Sequence, residues 1–428
     1  MNTDTLLADI SALPQIGDDA VRLLGSQQID EWPARLQGIA EPSSGTTVVV
    51  APQNVEGVSA ILRWAHERGA RIQALGMGSN VVGAIDSSVD VLVSTARLDE
   101  IHDLDPIDQT VTVGAGIDGR TLDGHLCKEG FVLGHYPQSL HVSTVGGWIA
   151  TRATGTYSAY YGGIERLLVG AEYVEPAGNI VCVAPRPRSS GGIDLLGLLC
   201  GSEGSLGIIT QATLAVGRAL PERRVCASMP DMRSGLDAQR QMVQSGVPLG
   251  LVRLYNPAES LVAAESGVLP ESHCLLVATT MGPQAVADAG AAAITATIEA
   301  AGGELLAETA ADPWFSRRYA TPGFMADHNA DDRRIFDTIE VALPWVTAAA
   351  CAEELETALG PLSTPLHQHF SHVYPTGACL YAVLFISGDN QADAHARWAT
   401  AWSRTLDIVA RHRGTLAHHH GIGALRAR

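Results

Sequence analysis

Three clusters of glycine and small hydroxyl residues, each set beside an apolar or β-branched run, constrain this chain more than any other feature. The first, Gly76-Met77-Gly78-Ser79-Asn80 with Gly83, follows a short strand, where glycines permit positive backbone dihedrals and let successive amides face an anion. The second runs from Gly134-His135-Tyr136-Pro137-Gln138-Ser139 to Ser143-Thr144-Val145-Gly146-Gly147-Trp148. The third is Gly201-Ser202-Glu203-Gly204-Ser205-Leu206-Gly207-Ile208-Ile209-Thr210. Any one of them alone is as readily a structural turn. Together, separated by strands, they read as loops converging on one large polar cofactor. Residues 72 to 96 contain no Lys or Arg, so a pyrophosphate there must be held by amides. Hydrogen bonds to charged groups contribute roughly 1.5 to 3 kcal/mol each, so several amides suffice without a cation. The spacing matches neither G-x-x-x-x-G-K-[ST] nor G-x-G-x-x-G, which argues against nucleotide hydrolysis and a standard dinucleotide fold.

The chain around these clusters is long and apolar enough to fold as two or three domains: 428 residues, 46% hydrophobic and 17% charged. Thr46 to Ala51 reads as a strand, and Asn54 to Gly69 as a helix with apolar residues at 55, 58, 61, 62 and 65 and a glycine stop. Arg71 to Leu75, VDVLVST, TVTVGAG and LVGAEYV read as further strands. From about Pro221 the texture changes to CASMP, HCLLVATTM, a long alanine-rich helix over 283 to 301, a strand at ACLYAVLFI and a helix from 390 to 412. The fold class is therefore α+β. We expect an N-terminal segment over 1–45, a cofactor domain over 46–220, a cap or substrate domain over 221–405, and a C-terminal segment over 406–428 that returns to the cofactor.

Charge and composition exclude several functions. The formal net charge is -18, and the basic residues, with Lys128 the only lysine, are scattered, so nucleic acid is not a partner. No stretch has the roughly 18 consecutive apolar residues of a bilayer span. Even GLVRLYNPAESLVAA is interrupted by Arg253 and Glu259. The N-terminal residues carry acids where a secretion signal carries Lys or Arg, which points to the cytoplasm. Seven cysteines, odd in number and widely spaced without C-x-x-C, read as reduced core thiols.

The segments P-x-S-L-x-x-S-T-V-G-G-W (137 to 148) and G-S-E-G-[ST]-L-G-[IV]-I-T (201 to 210) carry a resemblance. With Tyr374-Pro375-Thr376-Gly377-Ala378-Cys379 and His418-His419-His420-Gly421-Ile422-Gly423, the chain resembles the vanillyl-alcohol-oxidase/PCMH-type flavoproteins, and among them the alkyl-dihydroxyacetonephosphate synthases. The resemblance implies a two-subdomain FAD-binding domain, an α+β cap, a small-molecule substrate with lipid-like molecules among the candidates, and a homodimer. It implies that Gly76, Met77, Gly78, Ser79 and Asn80 hold the FAD pyrophosphate. Pro137, Ser139, Ser143, Thr144, Gly146, Gly147 and Thr151 would line the path from adenine to isoalloxazine, with Glu203, Gly207 and Ile209 completing it. Family members that attach FAD covalently use a His or Cys in or near the glycine loop; Met77 and Ser79 stand here, so non-covalent FAD is expected.

The same resemblance assigns acid-base work to Tyr374 and to His418, His419 and His420. A neutral imidazole gives or takes a proton near neutrality, and three in a row allow one to orient the others. In synthase-like chemistry the substrate carbon adds to flavin N5, a carboxylate leaves and an alkoxide replaces it, with no net redox change. The rival resemblance is to FAD-dependent D-2-hydroxy-acid dehydrogenases, which implies oxidation of a hydroxy acid, alcohol or amine. Those enzymes carry a metal pair where this chain has His372 and Cys379, and an E-H pair where it has His419-His420, so no metal is expected. The cluster His367, His369 and His372 is the other metal candidate, since 367 and 369 share a face in a strand. One departure stands out. Where the family has a substrate-binding arginine, this chain has Phe324-Met325-Ala326, with Arg317, Arg318, Arg333 and Arg334 out of register.

Overall fold

The computed structural model describes residues 3–17, 19–25, 46–86 and 88–427, so much of the expected N-terminal segment, 26–45, lies outside the described residues. The chain divides into two compact units. The first comprises Met1–Thr154, Gly163–Arg218 and His420–Arg428; the second comprises Gly155–Gly162 and Ala219–His419.

The first unit has two main sheets. Strands β1 (Val21–Gly25), β2 (Thr46–Val50), β3 (Ile72–Leu75) and β4 (Val91–Ser94) form one, in the order β1-β2-β4-β3. Strands β2, β4 and β3 are parallel, which requires a crossover, and the helix Val55–Arg68 supplies it. The side chain of Asn54 caps its start at the Gly57 amide, and Gly69 ends it at φ 64°. Val58, Ile61, Leu62, Trp64 and Ala65 are its buried stripe, in one core with Val48, Val50, Val91 and Val93. The other sheet is built from β5 (Ile101–Asp105), β6 (Thr110–Gly114), β8 (Leu168–Val174), β9 (Ile180–Val183) and β10 (Ile208–Ala215), in the order β5-β6-β10-β8-β9 and antiparallel throughout. Two short strands, β7 (Phe131–Val132) and β11 (Gly217–Arg218), pair beside it.

The second unit is one antiparallel sheet of seven strands: β12 (Glu222–Met229), β13 (Leu249–Tyr255), β14 (Cys274–Met281), β15 (Glu304–Leu306), β16 (Arg334–Pro344), β17 (Leu366–Tyr374) and β18 (Gly377–Ser387), ordered β15-β12-β14-β13-β17-β18-β16. Helices Met232–Gln244, Gln284–Ala300, Trp345–Leu359 and Gln391–Arg411 pack on one face. Leu254, Gln368 and Asp337 point to that side. A Cβ on Gly235 would meet Leu254 at 2.4 Å, Gln368 donates to the Ala352 carbonyl, and Asp337 accepts from the indoles of Trp398 and Trp402. Alternation then sends Arg253, Tyr255, His367, His369, Tyr381 and Glu340 to the opposite face. Short helices cover that face, among them Pro257–Ala263, Asp312–Arg317, Thr321–His328 and Ser158–Tyr161.

Two details differ from the sequence reading. The helix Gln391–Arg411 belongs wholly to the second unit, and the chain rejoins the first unit at His420 rather than near 406. The segment 155–162 also belongs to the second unit, which no composition change announced. None of the seven cysteines forms a disulfide, but Cys127 and Cys182 are exposed; Cys200, Cys226, Cys274, Cys351 and Cys379 are buried. No described helix is long and apolar enough to cross a membrane.

Candidate active site

In the first unit the glycine clusters meet. A Cβ on Gly76 would lie 2.7 Å from Thr144 Oγ1, so only glycine lets the first loop run this close to the second cluster. The Asn80 side chain accepts from the Val82 and Ala84 amides at 3.3 and 2.8 Å and folds the loop back on itself. None of the amides of Gly76, Met77, Gly78, Ser79 and Asn80 donates a hydrogen bond within the described residues. Adjacent amide donors lacking an acceptor among the described residues suit an anionic group.

The second cluster is not an open loop. Leu140–Val142 is a single 3-10 turn and Val145–Thr151 is a helix, because Val145, Trp148 and Ile149 share a buried face and Thr144 caps the start at the Gly147 amide. Its hydroxyls are largely engaged. Ser143 bonds Ser139 and accepts from the Trp148 indole at 2.7 Å, and Thr151 donates to the Gly147 carbonyl. Pro137 accepts from the Leu140 amide, and Gly146 packs where a Cβ would lie 2.9 Å from that of Ala115. His135, whose ring lies 4.7 Å from that of Trp148, is buried with neither ring nitrogen hydrogen-bonded, and burial pushes its pKa down to about 3.

The third cluster divides. Gly207 is required by packing, since a Cβ there would sit 2.2 Å from the Val174 carbonyl, and Ile209 is a buried residue of β10. Glu203, at φ 47°, turns its carboxylate to the amides of Ile422 and Gly423 at 2.7 and 3.0 Å. Leu425 in turn donates to the Val82 carbonyl, so the last residues run beside the first glycine loop.

The second unit carries the chemistry-bearing rings on the sheet face away from the long helices. Tyr374 ends β17 in a hairpin through Pro375-Thr376, its carbonyl accepting from the Trp345 indole. Its hydroxyl lies 2.7 Å from His418 Nε2, and His418 Nδ1 lies 2.8 Å from His419 Nδ1. Glu340, fully buried, accepts from the backbone amides of both His418 and His419 and fixes the tract. A β-bulge between Ser371 and Val373 places His372 at φ 51°, re-aiming its ring against His418 and His419 with centroids 5.2 and 5.1 Å away. Ser158 Oγ holds its Nδ1 at 2.8 Å. His420 parts from its neighbours and belongs to the first unit.

The arrangement is a chain of hydrogen bonds along which a proton can pass. With its proton on Nδ1, His418 donates to His419 and accepts from Tyr374 at Nε2. Passing the phenol proton to His418 then transfers a second proton to His419. The same residues raise the question of a metal, because ligand atoms of Cys379, His418 and His419 lie within 4.8 Å of one another. His367, His369 and His372 form no such group among the described residues: His369 lies between Glu259 and Arg253, and the bulge re-aims His372.

In sequence Arg253 is only an interruption of an apolar run. It is 4% exposed, with Nε donating to the Tyr255 hydroxyl at 2.6 Å and Nη2 to His369 Nε2 at 2.7 Å. The opposite ring nitrogen of His369 lies 2.9 Å from Glu259. Burial holds the His369 pKa below its ordinary value, and the guanidinium favours the same neutral form. Burial alone would raise Glu259, but His369 and Arg253 bring its pKa below the usual carboxylate value. At the place where the resemblance implies an arginine, Phe324 packs its ring 5.2 Å from Phe336 and 6.4 Å from Phe385, an aromatic wall.

Two stretches of the chain match known protein families. Residues 46–184 match the model of an FAD binding domain, and 221–428 match that of the C-terminal domain of FAD linked oxidases. The alkyldihydroxyacetonephosphate synthase of Dictyostelium discoideum is 27% identical over 423 residues, covering 90% of this chain and 68% of that protein. A solved alkyldihydroxyacetonephosphate synthase superposes with a TM-score of 0.80 at 22% identity, covering 97% of this chain and 81% of that one. A p-cresol methylhydroxylase superposes at 0.77 with 16% identity, covering 96% and 88%.

Proposed function

Because the chain belongs to the FAD linked oxidases, with an FAD binding domain over 46–184 and their C-terminal domain over 221–428, we propose that it holds FAD non-covalently on the first unit and uses Tyr374, His418 and His419 as its acid-base group. The Tyr374–His418–His419 relay, with spacings of 2.7 and 2.8 Å, carries this reading. The amides of Gly76 to Asn80 suit the pyrophosphate. Met77 and Ser79 offer no ring nitrogen or thiol for a covalent link, which supports a dissociable cofactor.

Bound FAD supplies an electron-accepting centre for the substrate carbon. Tyr374, having passed its proton along the relay, takes the proton from the reacting carbon or its hydroxyl and returns it on the way out. The histidines steady negative charge as it develops. Similarity to the synthases supports a redox-neutral exchange at an acylated ketone phosphate. The alternative is oxidation of a hydroxy acid, alcohol or amine, favoured by the aromatic residue Phe324 standing where an arginine was sought.

The relay works without a metal in this reading. Both ring nitrogens of His418 are engaged, by Tyr374 and by His419, so a cation at Cys379, His418 and His419 must break one of those bonds. The test is the anaerobic visible spectrum of purified protein, before and after acyl-dihydroxyacetonephosphate and, separately, hydroxy acids. Transient bleaching with release of fatty acid supports the redox-neutral reading, and lasting bleaching by a hydroxy acid supports oxidation. No flavin band even after adding FAD overturns both.

A further inference from the structure

The hydrogen bonds from Tyr374 to His418 and from His418 to His419 depend on how two imidazole rings are rotated. Ring rotation is soft. The terminal torsion of a histidine side chain lies in a broad, roughly two-fold well, so packing must select the plane. Glu340 restrains the tract through the backbone amides of His418 and His419, which leaves the rings to their neighbours.

His372 is a neighbour that meets both. Its ring is stacked on that of His418, with centroids 5.2 Å apart and planes 23° apart, and leans on that of His419 at 5.1 Å and 59°. Tyr381 packs against His419 as well, with centroids 6.1 Å apart.

Two features of the fold bring His372 there. Strict alternation along β17 would aim it, like Gln368, at the long helices. The bulge between Ser371 and Val373 turns it to the relay instead, at φ 51°, a left-handed conformation that persists in a non-glycine residue where the surroundings hold it. The other feature is the segment Gly155–Gly162, which belongs to the second unit although the chain on both sides of it belongs to the first. It carries Ser158, a buried residue whose Oγ lies 2.8 Å from His372 Nδ1. Whichever ring nitrogen bears the proton, that bond fixes the rotation of the His372 ring. Tyr157, next in sequence, donates to Glu222 of β12 at 3.3 Å and ties the segment to the sheet.

We propose that Ser158 and His372 are positioning residues of the Tyr374–His418–His419 relay. Ser158 sets the plane of His372, and His372 sets the planes of His418 and His419. This rests on the acid-base reading of those three residues and adds the groups that keep them aligned. Such alignment matters because a catalytic constellation works only when its supports hold it within about 0.5 Å and 10–20° of the productive geometry.

The experiment follows the ring N–H protons of the FAD-loaded protein, labelled with heavy nitrogen in its histidines, by nuclear magnetic resonance. The proton shared by His418 and His419, identified by its loss in His419→Gln, should exchange slowly with water in the wild type. His372→Asn removes the ring and keeps a residue that tolerates positive φ. Ser158→Ala leaves every ring in place and serves if His372→Asn does not fold. Exchange should speed up about 10-fold or more in His372→Asn and about 3-fold or more in Ser158→Ala.

Kinetics supply the second readout, with acyl-dihydroxyacetonephosphate or a hydroxy acid, according to which one bleaches the flavin. Turnover should fall about 10- to 100-fold in His372→Asn while KM stays within about 2-fold. The solvent deuterium isotope effect on turnover should grow, as proton transfer comes to limit the rate. Unchanged exchange in folded variants overturns the proposal, and so does a raised KM at an unchanged turnover number, which would make His372 a substrate contact. If neither substrate bleaches the flavin, the acid-base reading fails, and the exchange rates still decide whether Ser158 and His372 hold the rings.

Discussion

The hydroxyl of Tyr374 and Nε2 of His418 lie 2.7 Å apart although 44 residues separate them in sequence. One sits at the tip of a hairpin, where Gly377 lets β18 approach β16 so closely that a Cβ would fall 2.1 Å from the Leu343 carbonyl. The other is hung from the buried carboxylate of Glu340 by its backbone amide. Both ends of the hydrogen bond are thus fixed by rigid elements.

Tyr374→Phe keeps the ring and its contact with His418 but removes the proton at the head of the relay. Turnover of whichever substrate bleaches the flavin should fall about 10²- to 10⁴-fold, the usual contribution of a positioned acid or base. Flavin content and thermal midpoint should hold. A fall in flavin content that matched the fall in rate would mean that the residue is structural.

Much of this architecture is legible in the sequence where local rules decide it. Asn54, the 3.6-residue stripe and Gly69 define the helix Val55–Arg68 without help from the rest of the chain. Arg253 and Glu259 show the opposite. In sequence they merely interrupt an apolar run, and what joins them is His369 on a strand 110 residues past Glu259, paired in a register that only the folded sheet sets. Gly207 and Glu203 were legible as part of a glycine motif, yet the fold spends the first on strand packing and the carboxylate of the second on the chain terminus. A motif shows that residues belong together. It does not say which of them hold the cofactor and which hold one another.

His135 should make the protein acid-sensitive. Burial lowers its folded pKa from 6.5 to about 3, so in the unfolded chain it binds a proton that the folded protein refuses. Its contribution to stability is complete above about pH 6.5 and is lost as pH falls towards 3, at about 1.4 kcal/mol per pH unit. From about pH 7.5 to 5 the loss is about 2 kcal/mol. His135→Phe preserves an aromatic ring beside Trp148 and should flatten this dependence, as read by urea unfolding at both pH values. Equal slopes in the two proteins would show that other groups govern it.

Asp337 should govern the packing of the helix Gln391–Arg411. It is fully buried and accepts from the indoles of Trp398 and Trp402 at 2.7 and 2.8 Å. Asp337→Ala leaves two indole donors without their acceptor and should cost about 2–4 kcal/mol, with loss of near-ultraviolet tryptophan dichroism. Asp337→Asn retains one acceptor oxygen and should cost less. Because the residue faces the helices and the relay lies on the other face of the sheet, the fraction that remains folded should keep the wild-type turnover number.

Glu203 ties the end of the chain to the first glycine loop, so its loss should be felt at the cofactor. Glu203→Ala releases the amides of Ile422 and Gly423, and hydrogen exchange over 421–425 should rise by about 10-fold or more, equivalent to about 1–3 kcal/mol of local opening. FAD should dissociate more readily as Val82 and Gly83, which accept from Leu425 and Ala424, lose that support. Gly423→Ala attacks the same clasp from the other side, since its Cβ would fall 2.1 Å from the Val82 carbonyl and its φ is 51°. If both changes act by freeing one element, the double variant should bind FAD about as weakly as the worse single variant. Additive losses would mean that Glu203 meets the cofactor on its own account, and the tail would then be a bystander.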